Sequence, residues 1–120
     1  MTDAHEHDHV FDLPRDRSFA KVYKETTPDI FAAYAAFENA VYAREGREIP
    51  IKYRQLIAFA VALTTQCVYC IDSHAKAAVR EGATETELAE AAWVATGIRA
   101  GGGMAHGRLG FKLSGIRDEG

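Results

Sequence analysis

Several features that mark common protein classes are missing from this sequence. It has no block of five or more like charges, and its net charge of −3 is not that of a nucleic-acid binder. The longest unbroken apolar run, Leu56 to Leu63, is too short to span a bilayer. The first residues are acidic and polar, unlike a secretory signal. We therefore expect a soluble, cytoplasmic protein with one domain's worth of chain.

Cysteine is also scarce. The 120 residues include only two, Cys67 and Cys70, and they lie three positions apart. A purely structural disulfide is rare in a reducing cytosol. The pair is therefore expected to be reactive or to bind a metal.

The N-terminal segment differs in character from the rest of the chain. Residues 1–14 are predicted to be a flexible tail that Pro14 closes, and residues 15–120 a helical domain. The tail carries His5, His7 and His9, which is a pattern that binds metals weakly. We favour a solvated tail, because metal sites need fixed geometry and supporting contacts.

Start and stop signals divide the remaining chain into helices. Thr27 followed by Pro28 predicts a helix start, and Gly46 its end. Pro50 opens the next helix. Its apolar run, residues 56–63, has no polar face, which indicates a central position or a subunit interface.

The second half of the chain continues in the same way. A helix is predicted to begin near Cys67, and Thr84 with Glu87 forms a capping box that opens the next one. Glycines 101–103 interrupt that helix at about 1 kcal/mol each, so either it breaks or another backbone packs closely there. A short helix is predicted over 106–113. No segment alternates like a strand, so the predicted fold is all-α, a bundle of about five or six helices.

The chemistry-bearing residues are Cys67, Cys70 and His74, which share one helix face. A helix N-terminus and an imidazole both favour a thiolate, and a second thiol resolves the oxidised first one. A zinc site is an alternative, with three ligands here and a fourth from His106 or the tail. Inert, buried cysteines are the remaining interpretation.

The chain resembles the alkylhydroperoxidase D-like / carboxymuconolactone decarboxylase family. Three stretches carry the resemblance: residues 54–62, the cysteine segment 67–74, and residues 82–90. The resemblance implies an all-helical homo-trimer or homo-hexamer, and a thiol peroxidase or disulfide reductase without an organic cofactor or metal. Its substrate would be a peroxide or a disulfide. Its electron donor would be a dithiol such as dihydrolipoamide or a thioredoxin-like protein.

The resemblance also implies roles for the site residues. Cys70 corresponds to the nucleophile and Cys67 to the resolving thiol. His74, one turn after Cys70, is the obvious candidate for the base. Family members that decarboxylate a lactone generally lack the cysteine pair. A lactone decarboxylase with His74 as its acid-base group is nevertheless retained as an alternative to the peroxidase, as is a non-enzymatic module with a Cys-Cys-His metal site.

Two positions depart from the family pattern. Gln55 lies twelve residues before Cys67, where the family has a Glu that relays protons, and an amide cannot accept a proton at neutral pH. Tyr69 stands where peroxidase members have a His, and a phenol is a poor base. Both count as candidate site residues. Glu38 and Glu48 are candidates for the missing acid.

Overall fold

The computed structural model describes residues 11–117, and these form six α-helices and no strand. The helices are α1 (Leu13–Ser18), α2 (Ala20–Thr26), α3 (Pro28–Val41), α4 (Ile51–Thr65), α5 (Val68–Arg80) and α6 (Glu85–Ser114). The predicted all-α fold class is confirmed. The chain divides into two compact units, the first ending at Ile51 and the second beginning at Lys52.

The first unit contains α1, α2 and α3. Asp12 caps α1 by accepting a hydrogen bond from the backbone N–H of Arg15. Because α1 begins at Leu13, the last two residues of the predicted tail are helical, whereas His5, His7 and His9 lie outside the described residues.

Helix α3 begins at Pro28 as predicted. The role of Thr27 and the residue at which the helix ends differ from the prediction. The Thr27 hydroxyl donates to the carbonyl of Tyr23 in α2, at 2.9 Å, and does not cap α3. The helix ends at Val41 and not at Gly46. The guanidinium of Arg47 donates to the carbonyl of Ala40 and so satisfies that helix end from beyond it.

In the second unit, α4 and α5 meet in a single tight turn. Gln66 adopts a left-handed conformation, with φ of 57°, and ends α4. The backbone N–H of Cys67 then donates to the carbonyl of Ala62, five residues back, at 3.1 Å. This is the Schellman pattern of helix ends, with glutamine at the position that glycine usually occupies.

Helix α6 opens with the predicted capping box. The backbone N–H of Glu87 donates to the Thr84 hydroxyl at 3.1 Å, and that of Thr84 to the Glu87 carboxylate at 2.9 Å. The helix then continues for 30 residues. At about 1.5 Å per residue it is roughly 45 Å long.

The predicted break at glycines 101–103 is wrong, and so is a separate helix over 106–113. All three glycines are helical, and a Cβ on any of them would meet nothing within 4 Å, so no other backbone among residues 11–117 packs there. A helical glycine carries a penalty but is not by itself a stop signal. The stop comes at Gly115, whose φ of 71° ends α6.

The described part of the chain buries little. Its buried apolar residues are small: Ala62, Ala78, Ala83 and Ala95. In the apolar run of α4, Ala62 is buried, whereas Ile57 and Val61 are about half exposed, so the run is not enclosed on all sides by the described residues. Its place at a subunit interface stays a prediction. Among the six helices of residues 11–117, none combines the length and the hydropathy of a membrane-spanning segment.

Replacing Gln66 with glycine is expected to stabilise the chain by about 0.5–1 kcal/mol. The left-handed conformation destabilises a residue with a Cβ by about 1–2 kcal/mol, and glycine avoids this cost. Part of the resulting gain in stability is lost because glycine has more conformational freedom in the unfolded chain. Urea unfolding of Gln66→Gly measures the difference. Gln66→Ala is the control, since it removes the side chain but keeps the Cβ. Equal stability of the two variants would contradict the prediction.

The ion pair between Lys52 and Glu87, at 2.8 Å, makes stability depend on pH. The hydrogen bond from Lys52, and then that from the Thr84 N–H, lowers the pKa of Glu87 below its ordinary 4.5. A lowered pKa means that the carboxylate stabilises the fold above about pH 4.5 and loses that effect as pH falls. Glu87→Gln keeps the capping box but not the charge.

The melting temperature of Glu87→Gln should therefore lie below that of the parent at pH 7, and the gap should narrow toward pH 3. Glu85→Gln, in the same helical turn, is the matched control because Lys52 pairs with Glu87. A difference in melting temperature that stays constant with pH would show that the charge of Glu87 does not cause it.

Candidate redox site

The site is built at the start of α5. Cys67 is the N-cap residue, with an extended backbone (φ −93°, ψ 99°), and its Sγ accepts the backbone N–H of Cys70 at 3.3 Å. Sulfur here takes the place of the oxygen with which Ser, Thr or Asp caps a helix. When reduced, Cys67 therefore has its sulfur where both this N–H and the helix dipole favour a thiolate.

Cys67 and Cys70 are joined by a disulfide, with their Cα atoms 5.2 Å apart. That separation is ordinary for a disulfide. Both residues are half-buried. The first turn of α5 therefore holds the two sulfurs within bonding reach at a partly accessible position, which oxidation and thiol exchange both require.

His74 lies one turn after Cys70 on α5 and contacts a residue of α4. Its Nδ1 is 2.7 Å from Oε1 of Gln55. Gln55 is a buried polar residue, only 9% exposed. An amide oxygen only accepts hydrogen bonds, so Nδ1 carries the proton in this pair and Nε2 is the basic nitrogen of the neutral ring.

The acids suggested as substitutes for the family Glu belong to the first unit. Glu38 accepts a hydrogen bond from the hydroxyl of Tyr34 at 2.6 Å, and this bond raises the pKa of Tyr34. Glu48 is exposed. At His74, Gln55 supplies a neutral amide where the family pattern has a carboxylate.

Tyr69 and His106 are the remaining candidates from the sequence. Tyr69 lies in the first turn of α5, between the two cysteines, and is 38% exposed. His106 is exposed on α6, where its Nδ1 lies 3.1 Å from the carbonyl of Gly102. Within residues 11–117, no three His, Cys, Asp or Glu side chains are placed to hold a metal ion.

Sequence reasoning missed two supports of this site. The first is the left-handed turn at Gln66, which carries no glycine or asparagine to signal it. The second is Arg99 of α6, whose guanidinium donates to the carbonyl of Thr64 at the end of α4. A single arginine in a helical pattern gives no sign of such a contact, which only the tertiary fold creates.

These features define a helical protein with a Cys-x-x-Cys disulfide at a helix N-terminus and a histidine one turn away. The profile of the carboxymuconolactone decarboxylase family matches residues 28–109. The chain belongs to this family.

Two relatives share part of the sequence. One, from Paracoccus denitrificans, is named "Uncharacterized protein 4 in cox locus" and is 47% identical over 74 residues, which are 62% of this chain and 65% of that protein. The other, an uncharacterized protein from Haemophilus influenzae, is 44% identical over 62 residues, 52% of each chain. The chain thus matches less than two thirds of the length of either relative.

Two crystal structures share the fold. A protein from Methanobacterium thermoautotrophicum is 35% identical, with a TM-score of 0.67 over 74% of this chain and 98% of that one. A carboxymuconolactone decarboxylase family protein from Legionella pneumophila is 24% identical, with a TM-score of 0.65 over 71% of this chain and 74% of that one. The latter likeness concerns the fold alone.

Replacing Gln55 with glutamate is expected to raise the pKa of His74, since a carboxylate at this distance stabilises the imidazolium. NMR titration of the histidine ring measures the change. Gln55→Met is the control, because it keeps the volume but removes the oxygen. A His74 pKa that is the same in parent and Gln55→Glu would show that the two side chains do not interact in solution.

Proposed function

We propose that this protein is a thiol-dependent oxidoreductase that reduces a peroxide, or a disulfide, through Cys70. The observation that carries the proposal is a half-buried cysteine pair at a helix N-terminus, beside a histidine bound to a buried amide. Family membership fits this activity. The cysteine pair, which lactone-decarboxylating members generally lack, favours it over that reaction.

The proposed cycle has three steps. The thiolate of Cys70 attacks the peroxide, breaks the O–O bond and becomes a sulfenic acid, while the leaving alkoxide takes a proton and departs as an alcohol. Cys67 gives up its proton, and its thiolate attacks that sulfur; the S–S bond forms as the S–O bond breaks, and the displaced hydroxide takes a proton and leaves as water. A dithiol donor reduces the disulfide and is itself oxidised to a disulfide. No organic cofactor or metal takes part.

The position of Cys67 suits a resolving thiol. Its Sγ accepts the N–H of Cys70, so reduced Cys67 is stabilised as a thiolate, which is the form that attacks a sulfenic acid. The same stabilisation makes it a good leaving group when the donor attacks the sulfur of Cys70, since a thiol of low pKa leaves faster.

His74 is proposed to take the proton of Cys70 and later return it to the leaving group. With Nδ1 bound to Gln55, the imidazole is a neutral base that acts through Nε2. Gln55 orients the ring but accepts no proton itself. Tyr69 is not assigned a role as base, because a phenol is a poor base at neutral pH. Since its side chain is exposed between the two cysteines, we assign it a contact with the substrate.

The direct test is steady-state reduction of an organic hydroperoxide by metal-free protein with dihydrolipoamide as donor. Cys70→Ser should abolish turnover, and Cys67→Ser should allow one oxidation of Cys70 but no efficient cycle. His74→Gln should lower kcat/KM by about 10²–10⁴-fold, the usual contribution of a general base. Lys76→Gln, on the exposed side of α5, is the control and should leave the rate unchanged.

Other outcomes point to other functions. Decarboxylation of a carboxymuconolactone that survives Cys67→Ser/Cys70→Ser would replace the proposal with the reaction in the family's name. One tightly bound zinc per chain, lost in the same double variant, would favour a metal-stabilised module. Cysteines that neither oxidise nor react with a disulfide would overturn the redox assignment altogether.

A further inference from the structure

Two helix ends of opposite electrical sign meet at Cys67. This residue is the N-cap of α5, whose first N–H groups carry a partial positive charge. Only Gln66 separates it from Thr65, the last residue of α4, where the final carbonyls carry a partial negative charge. The first charge favours a thiolate on Cys67, and the second disfavours it. The ionisation of Cys67 therefore depends on how far the end of α4 is neutralised.

The sequence of α4 does not neutralise its own end. Its last turn has no basic residue, and positions 55–66 carry no charged side chain. The hydroxyl of Thr64 donates to the carbonyl of Val61 at 2.7 Å. The backbone N–H of Cys67 donates to the carbonyl of Ala62 at 3.1 Å. Both donors are neutral, so they satisfy hydrogen bonds at the helix end without adding a charge there.

Arg99 brings a full positive charge to this end from another helix. It lies in α6, 35 residues after Thr64, and its guanidinium donates to the Thr64 carbonyl in the last turn of α4. In a Schellman helix end the following N–H groups bind earlier carbonyls, so the carbonyl of Thr64 needs a donor from elsewhere. A cation at a helix C-terminus offsets the partial negative charge of its carbonyls. Thr64 is three residues before Cys67.

The sequence around Arg99 offers its charge no acidic partner on the same helix. A helical arginine pairs with acids three or four positions away. Those positions hold Ala95, Thr96, Gly102 and Gly103. From residue 91 to residue 117 the chain has no Asp or Glu. A guanidinium also keeps its charge throughout the pH range in which thiols titrate.

We propose that Arg99 is a positioning residue of the redox site: it offsets the negative end of α4 and so stabilises the thiolate of Cys67. The inference deepens the proposed function, because it concerns the resolving thiol of the same disulfide. It rests on the hydrogen bond to Thr64 and on the lack of any other charge at that helix end.

The proposal has a consequence for the stability of the disulfide. Two molecules of glutathione reduce the Cys67–Cys70 disulfide to two thiols and are themselves joined as glutathione disulfide. An interaction that stabilises the Cys67 thiolate stabilises only the reduced protein. Arg99 therefore makes the disulfide easier to reduce, at any pH where reduced Cys67 is ionised.

Three substitutions separate the charge of Arg99 from its other properties. Arg99→Lys keeps a positive charge and a donor, Arg99→Gln keeps a donor only, and Arg99→Met keeps neither. The four side chains have similar helix propensities, so α6 should persist. Arg108→Met is the matched control. It removes the same charge from the same helix, but nine residues are two and a half turns, so Arg108 lies on the opposite side of α6.

Equilibration with glutathione, read by intact mass, measures the equilibrium constant for reduction of the disulfide. Arg99→Met and Arg99→Gln should each lower it on the order of two- to fivefold, the effect of one charge at a helix end. Arg99→Lys should keep most of the parent value, and Arg108→Met all of it. If Arg99→Met fails to fold, Arg99→Gln carries the same expectation.

The pH dependence separates an electrostatic role from a structural one. In a Cys70→Ser background, the rate of alkylation by iodoacetamide reports the thiolate of Cys67, and Arg99→Met should move its ionisation to higher pH. The difference in the reduction equilibrium should vanish at a pH where Cys67 is protonated in both proteins. Tyr69, Asp72 and His74, the other ionisable side chains nearby on α5, are the same in both and so do not contribute to the difference.

Several results would overturn the proposal. One is that Arg99→Met has the equilibrium constant of the parent, and another is that Arg108→Met changes it equally. A difference that persists where Cys67 is protonated, or unfolding of both uncharged variants, would show that Arg99 only stabilises the fold. None of these measurements uses a peroxide or turnover. A protein without peroxidase activity would therefore contradict the proposed function and leave this inference standing.

Discussion

The geometry of the second unit depends on one residue that serves two helices. The backbone N–H of Cys67 satisfies the carbonyl of Ala62 and ends α4, while its Sγ accepts the N–H of Cys70 and begins α5. Both bonds require the chain to turn sharply between the helices, and Gln66 makes the turn in a left-handed conformation. The backbone turn therefore places the sulfur of Cys67 at the N-terminus of α5.

The same turn allows α4 and α5 to share the histidine. Gln55 lies ten residues before the end of α4 and His74 in the second turn of α5, and the hydrogen bond between their side chains joins the two helices. A buried amide with a satisfied oxygen costs little, whereas a buried carboxylate needs a charged partner. Glutamine at this position thus orients the imidazole without adding a charge.

Local signals predicted the helices well where they were strong. Pro28 and the Thr84–Glu87 capping box stand at the starts of α3 and α6, as expected from their chemistry. Helix ends were harder to predict. Arg47 reaches back to satisfy the end of α3, and α6 passes through three glycines that resemble a break. These outcomes depend on contacts distant in sequence, or on a balance of propensities that a single motif does not reveal.

The candidate site likewise combines features that the sequence predicted with features that only the fold revealed. The spacing of Cys67, Cys70 and His74 was readable because one helix carries all three. The contact of Gln55 with His74 came from neither spacing nor periodicity, since Gln55 lies on another helix 19 residues away. Family resemblance pointed to the position, and the fold supplied the contact. Arg99, which binds the end of α4, was invisible to both.

The most direct test of the account is intact-mass analysis of reduced protein after one equivalent of an organic hydroperoxide. The parent should lose two hydrogen atoms as the Cys67–Cys70 disulfide forms. Cys67→Ser should instead gain one oxygen atom, on Cys70, in a form that a sulfenic-acid reagent captures. Two results would contradict the assignment of Cys70 as the nucleophile. One is that Cys67 in Cys70→Ser is oxidised as fast as Cys70 in Cys67→Ser, and the other is that neither cysteine is oxidised.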